Sequence, residues 1–326
     1  MANIKEIQRR IKSISNTKKV TRAMEMVAAT KMHKAVESVL RTRTYANLSW
    51  VTILNLSKAV NFQHPLLATS KDHKPLKKGE GKPKLGIILI TSNRGLCGGF
   101  NSAIINKTHK SIKLHSSIKS QKTDIIIIGK KGAAIRKYYG YDIVADFPKE
   151  DGISEVKEVL PISKIVIDDF LKGKYDKIFV AYTDFVNTNR QIPRVKQILP
   201  IDISTQDEFL GVVGEDTRLG LDKEFIEKKQ EKYLKDGKNI YKYTFEPSPK
   251  EVFDEMIPRL IEIQLFQALL ESNASEHSAR MTAMHQATEA ANDLVNELTL
   301  FYNKARQASI TAEIAEISAG ANALAE

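Results

Sequence analysis

Two stretches of this chain keep a helical period far longer than a globular helix needs. From Arg259 to Ala319 there is neither Gly nor Pro, and one apolar stripe steps by three and four through Met284, Ala287, Ala291, Leu294, Leu298, Phe301, Ala305, Ala308, Ala312 and Ala315. That is a heptad seam, the pattern that winds two helices around each other. A second row, Ile310, Ile314 and Ile317, falls on another side of the same helix. Chain termini usually fray and turn polar, so a terminus apolar on more than one face should be enclosed by a partner. Residues 1–64 also lack Gly and Pro. Ile4, Ile7, Ile11 and Ile14 keep the same spacing, and the row drifts on through Val20, Met24, Val27 and Ala28 to Ala35 and Val39. This predicts one helix from about Ile4 to Lys58, on the order of 80 Å long at about 1.5 Å per residue. The mean globular helix has about 11 residues, so a helix this long must lie along a partner.

Between these stretches the pattern changes. His64-Pro65 stops the first helix, and residues 61–84 read as a basic Gly/Pro-rich linker. Apolar runs at Leu85–Ile90 and Asp124–Ile128 then read as buried strands, with further strands expected at Tyr141–Ala145, Asp176–Thr183 and Gln191–Leu199. Helices are expected from the loop after Thr91 to about Ser120, over Lys130–Tyr139 and over Ile162–Leu171. Alternation of this kind predicts an α/β domain over 85–246 with a largely parallel, Rossmann-like sheet. Residues 203–240, with nine acidic against seven basic residues, read as an insertion. Tyr241–Phe245 could rejoin the sheet, and Pro258 should kink the start of the last helix, which spans 250–326. The expected fold class is therefore α/β, with an antiparallel coiled coil of long N- and C-terminal helices beside the central domain. Pairing must be antiparallel, because both helices join the domain by their inner ends.

Charge sharpens the picture at one place. The net charge is +11, and most of the excess lies on the first helix, where twelve Lys/Arg face three Glu up to Lys58. Such a helix suits carboxylate-bearing partners or is a solvated face. It carries few aromatics, and no nucleic-acid reading motif accompanies it, so nucleic acid is not the expected partner. The single cysteine, Cys97, allows no internal disulfide. No apolar run approaches the roughly 20 residues a membrane span needs, and the basic start lacks the apolar core of a signal peptide.

Candidate chemistry is sparse. Thr91–Asn101, TSNRGLCGGFN, lies between strand and helix like a phosphate loop. Its glycines fit neither G-x-G-x-x-G nor a loop ending in Gly-Lys-Ser/Thr, so tight turns are the simpler reading, with an α/β nucleotide-binding enzyme as the alternative. No histidine is placed by sequence to serve Cys97, the seven histidines lack metal spacing, and Asp168 and Asp169 point apart on one helix. Arg306 and Gln307 stand among small residues in NKARQASIT. They suit either a solvated coiled-coil face or hydrogen bonds from a shaft to a surrounding partner, since Arg offers a planar fork of donors.

Three segments carry a resemblance: IQRRIKSISNTKKVTRAMEMVAATKM (7–32), TSNRGLCGGFN (91–101) and SARMTAMHQATEAANDLVNELTLFYNKARQASITAEIAEISAGANAL (278–324). In these, and in the order of elements between them, nearly the whole chain resembles the gamma subunits of F-type ATP synthases. The resemblance implies a central rotor shaft standing in a hexamer of alpha and beta subunits. Its α/β domain would lie against the epsilon subunit and the membrane ring of c subunits. It implies no catalytic residue, no cofactor and no metal in this chain. Carried over by position, Arg306 and Gln307 would meet catch loops of the beta subunits, and Met24 and Arg280 the lower lever of beta. Ile310, Ile314 and Ile317 would turn in an apolar bearing. The insertion at 203–240 departs from the usual bacterial form, and it lacks the cysteine pair of plastid forms. The implied location is the cytoplasmic face of the bacterial inner membrane.

Overall fold

The computed structural model describes residues 4–59, 64–68, 84–115, 123–149, 156–202, 245–246 and 248–325. Insertion 203–240 and most of the linker lie outside the described residues. The chain packs as two units, Met1–Ala29 with Arg280–Glu326, and Thr30–Ala279.

Helix α1 runs over Ile4–Ala59 and the last helix, α5, over Pro249–Ala325. In the first unit their arms lie antiparallel: Lys18 Nζ donates to Asn292 Oδ1 at 2.7 Å, Thr288 Oγ1 to Thr21 Oγ1 at 2.8 Å, and His285 Nδ1 stands 3.0 Å from Glu25 Oε1. The covered positions of α1 keep strict three-four steps, Ile4, Ile7, Ile11, Ile14, Lys18, Thr21, Glu25 and Ala28. Those of α5 are Met284, Thr288, Ala291, Val295, Leu298, Tyr302, Ala305 and Ser309. This seam shares Met284, Ala291, Leu298 and Ala305 with the stripe expected from sequence, but its alternate positions lie one residue later. Leu294 and Phe301 consequently point outward, 47% and 50% exposed. On α1 the expected drift is also absent, since Val20, Met24 and Val27 are exposed while Thr21 and Ala28 are buried. The physical reason is that both flanks of the shared row are apolar. A seam that keeps its phase accepts Thr21 and Lys18 because each finds a hydrogen bond across it.

The second unit is a five-stranded sheet ordered β4-β3-β2-β5-β6. Its strands are β2 (Leu85–Ile90), β3 (Thr123–Ile128), β4 (Asp142–Phe147), β5 (Lys177–Phe185) and β6 (Gln191–Leu199). A two-residue strand, β1 (Leu67–Ala68), pairs apart from it with β7 (Ile201–Asp202). All pairings in the large sheet are parallel except β5 with β6. β2 reads LGIILI and is buried at every position, as a central parallel strand covered on both faces requires. Edge strand β4 alternates between exposed and half-buried.

One face of the sheet packs Ile88, Ile126, Val180 and Tyr182 against α1, α4 (Val156–Leu171) and the start of α5, where Phe253, Ile257 and Leu260 are buried. The other face packs Ile87, Leu89, Ile125 and Ile127 against α2 (Phe100–His115) and Ile135 of α3 (Ala134–Tyr139). The helix expected over Lys130–Tyr139 opens with a tight 3-10 turn, Lys130–Ala133, before α3. Gly132 forces this close packing: a Cβ there would lie 2.4 Å from Ile127 Cγ2. Pro258 falls inside α5, which starts nine residues earlier than Pro258 itself, at Pro249. Of the segment expected to rejoin the sheet, 241–244 lies outside the described residues. Phe245 instead sets its ring 6.3 Å from that of Phe253.

Candidate functional site

In the first unit, pairing stops short of the end of α5. Run on at the same pace, the register that faces Thr21 with Thr288 sets Ile4 against Ala305. Both are half-buried. From Arg306 onward every residue to Ser318 is exposed except Ser309, which is half-buried. The helix continues to Ala325, so about 30 Å of it extends past the start of α1 at 1.5 Å per residue. Arg306 and Gln307 stand at the point where pairing ends. Beyond them Ile310, Ile314 and Ile317 are 48%, 62% and 72% exposed. Three isoleucines at helical spacing on an uncovered tip form an apolar patch of the kind that marks an interaction surface.

Met24 lies on the outer side of α1, between Val20 and Val27 and beside Met26, all exposed. Arg280 is half-buried at the start of the unit's α5 segment. The structure thus makes Met24 a surface residue, where the sequence pattern put it in the seam. It also adds Val20, Val27, Leu294 and Phe301 to the apolar surface of this unit. Sequence reasoning missed these four because it counted each as a seam position. The signal available was the polar row Lys18, Thr21 and Glu25, which continues the isoleucine spacing without a break.

The loop Thr91–Asn101 is turned in on itself. Thr91 Oγ1 donates to Gly129 O at 2.8 Å, and Ser92 N–H to Asn101 Oδ1 at 3.0 Å. Asn101 Nδ2 donates to Ser92 Oγ and Ser92 Oγ to Arg94 O, both at 2.7 Å. Phe100 N–H donates to Cys97 O and Ala103 N–H to Gly99 O. A phosphate cradle aims backbone N–H groups at a ligand; here those of Ser92, Phe100 and Ala103 hold the turn and the first coil of α2. Cys97 is a buried thiol in that turn. The loop is also tied down from beside it. Lys149 Nζ donates to Thr91 O at 3.3 Å and to Glu276 Oε2 of α5 at 2.6 Å, and Asn93 Nδ2 donates to Lys149 O. Gly129 completes the fit, with φ +97° and a hypothetical Cβ only 2.4 Å from Thr91 O. Asp169, considered above with Asp168, pairs with Lys174 at 2.6 Å.

Termini that pair as a coiled coil, an unpaired apolar tip and a middle folded as an α/β sheet together define a coiled-coil stalk subunit. The family described as ATP synthase matches residues 3–324. An ATP synthase gamma chain of Legionella pneumophila (strain Corby) is 36% identical over 325 residues, covering 99% of this chain and all of that protein. The gamma chain of Roseiflexus sp. (strain RS-1) is 37% identical over 327 residues, with both chains fully covered. Among solved structures, a chain of the Euglena gracilis mitochondrial ATP synthase (OSCP/F1/c-ring, rotational state 3) superposes with a TM-score of 0.61. It is 18% identical, and the match covers 98% of this chain and 94% of that one. A chain of the Tetrahymena thermophila central stalk and c-ring gives 0.54 at 21% identity, covering 82% and 99%. These two likenesses speak for the fold. The chain belongs to the ATP synthase gamma chain family. Its role is that of the central shaft, a non-catalytic subunit. Among the described residues, no helix is long and apolar enough to cross a membrane.

Proposed function

We propose that the first unit turns inside a hexamer of alpha and beta subunits, coupling rotation of a membrane ring of c subunits to conformational cycling of three catalytic sites in beta. In this reading residues 1–60 and 250–326 serve as the shaft helices, and residues 85–246 as the body that meets the epsilon subunit and the ring. The subunit works on the cytoplasmic face of a bacterial inner membrane, held there through the complex. The observation that carries the reading is the overshoot of α5 with its exposed isoleucine row, Ile310, Ile314 and Ile317, which suits an enclosing bearing.

The mechanism needs differential contact. A shaft can shift a beta site between states only by binding those states unequally. An asymmetric two-helix rod does this, because each orientation presents a different side to each beta subunit. Arg306 and Gln307, exposed at the end of the paired region, act as hydrogen-bonding teeth toward beta. Met24, with Val20 and Val27 around it, and Arg280 act lower on the rod.

Co-expression with alpha and beta subunits tests the assignment, and a complex that hydrolyses ATP is expected. Failure to assemble would overturn it. The alternative reading, an enzyme using loop 91–101, expects the purified chain alone to bind and hydrolyse ATP. Within the complex, Arg306→Ala with Gln307→Ala should lower coupled ATP synthesis by at least about tenfold. The reason is that hydrogen bonds to charged groups contribute about 1.5–3 kcal/mol each. The isolated subunit's melting temperature should stay unchanged. Normal synthesis by the double variant would remove these residues from the contact.

A further inference from the structure

A cluster of charged groups lies buried in the second unit, away from every surface discussed above. Glu271 of α5 is fully buried, and Arg43 of α1, Asp184 and Tyr182 of β5 surround it with little or no exposure. Arg194 of β6 completes the set, its Nε 2.8 Å from Asp184 Oδ2. The two oxygens of Glu271 are treated unequally. Oε1 accepts from Gln267 Nε2 at 2.9 Å and from Arg43 Nη2 at 3.3 Å. Oε2 meets no donor among the described residues, and the charge of Asp184 acts on the Glu271 carboxyl.

An ionised carboxylate has only acceptor oxygens. Left as two carboxylates, Glu271 and Asp184 would set like charges together in a dry interior and leave Oε2 with no partner, which is costly. A proton on Glu271 removes one of the two like charges and turns the acceptor that lacks a donor into a donor. Arg43 does not remove the need for it, because its contact is long and goes to the oxygen that Gln267 already serves. Arg194, the other cation, is engaged with Asp184.

We propose that Glu271 and Asp184 share one proton at neutral pH, making the joint of α1, α5, β5 and β6 a proton-holding site whose loss of that proton weakens the packing. The charged and titratable groups facing the pair are Arg43, Arg194 and Tyr182. Consistent with the geometry, burial first and Asp184 second push the Glu271 carboxyl up to about 7. Tyr182, buried beside it, is pushed up and stays neutral.

The sign of the pH effect follows. Between the carboxylate's ordinary value of 4.5 and about 7, the folded chain holds a proton that the unfolded chain has released. Stability therefore falls as pH rises through this window and levels off above it. One proton corresponds to a rise in the unfolding constant of up to about tenfold per pH unit.

Two measurements on the full chain test this. In wild-type protein, infrared spectra near pH 6 should show the carbonyl stretch of a protonated buried carboxyl that fades as pH is raised to about 9. Glu271→Gln, whose amide nitrogen can donate to Asp184, should lack that band, and so should Asp184→Asn. Both variants should also flatten the fall in urea midpoint across the window relative to wild type. Absence of the band in wild-type protein overturns the proposal even if neither variant folds. So do variant and wild-type midpoints that fall in parallel.

Discussion

Lys149→Ala is expected to cost the α/β unit about 3–5 kcal/mol, the loss typical when one partner of a buried ion pair is removed. Lys149 and Glu276 have side chains only 3% and 4% exposed, with 2.6 Å between Nζ and Oε2. The variant leaves the Glu276 carboxylate in the interior without its ammonium. It also removes the bond from Lys149 Nζ to Thr91 O, which holds the loop before α2. The double variant Lys149→Met with Glu276→Leu should recover most of the loss, because apolar residues of similar volume often replace a buried pair at little cost. Urea unfolding of the three proteins decides the matter. If the single variant unfolds within about 0.5 kcal/mol of wild type, as ordinary surface changes do, the pair has no structural weight. If the double variant is as unstable as the single, the pair's role goes beyond its charge.

That pair illustrates what the sequence could not reveal. Lys149 lies just past an edge strand, Glu276 lies on the last helix, and neither carries a local sign of burial. The same holds for Arg43, Asp184, Arg194 and Glu271, which come from four elements and read singly as surface charges. Their burial is created by tertiary packing, so no window of sequence contains it. Local features were legible in contrast. Stretches without Gly or Pro and with sustained three-four spacing came out as helix, over Ile4–Ala59 and within Pro249–Ala325, which reaches past them to take in Pro249, Pro258 and Gly320. The apolar run of β2 and the four isoleucines that end β3 marked the inner strands of the sheet, because strands covered on both faces need no polar alternation.

The phase of the coiled coil fell between these cases. Two heptad patterns share Met284, Ala291, Leu298 and Ala305, and they differ only in taking the neighbour on one side or the other. At Leu294 and Val295, and again at Phe301 and Tyr302, both neighbours have apolar bodies, so hydrophobicity does not decide. The partner helix decides, through Thr21 against Thr288 and Lys18 against Asn292. The apolar residues left over, Val20, Met24, Leu294 and Phe301, are exposed on the outside of the pair. At Arg306, Gln307 and the isoleucine row no helix among the described residues is there to choose a phase, and all five are exposed.

Replacing Ile310, Ile314 and Ile317 together by Asp should abolish most coupled ATP synthesis, by at least about tenfold, and leave the isolated chain as stable as before. The stability half follows from exposure. All three lie beyond the reach of α1 and are exposed among the described residues, and surface changes are usually within about 0.5 kcal/mol. The coupling half follows from what an enclosing bearing would supply. Fully burying an isoleucine contributes about 1.5–3 kcal/mol, and three aspartates would have to be desolvated in the same sleeve without partners. Centring of the shaft tip would fail first, while hydrolysis by the surrounding catalytic sites could continue uncoupled. Thermal melting of the isolated chain, with ATP synthesis and hydrolysis by the complex reconstituted in vesicles, separates the outcomes. Unimpaired synthesis by the triple variant would show that the tip turns without apolar contact. A large drop in the isolated chain's melting temperature would instead mean that the row packs within this chain.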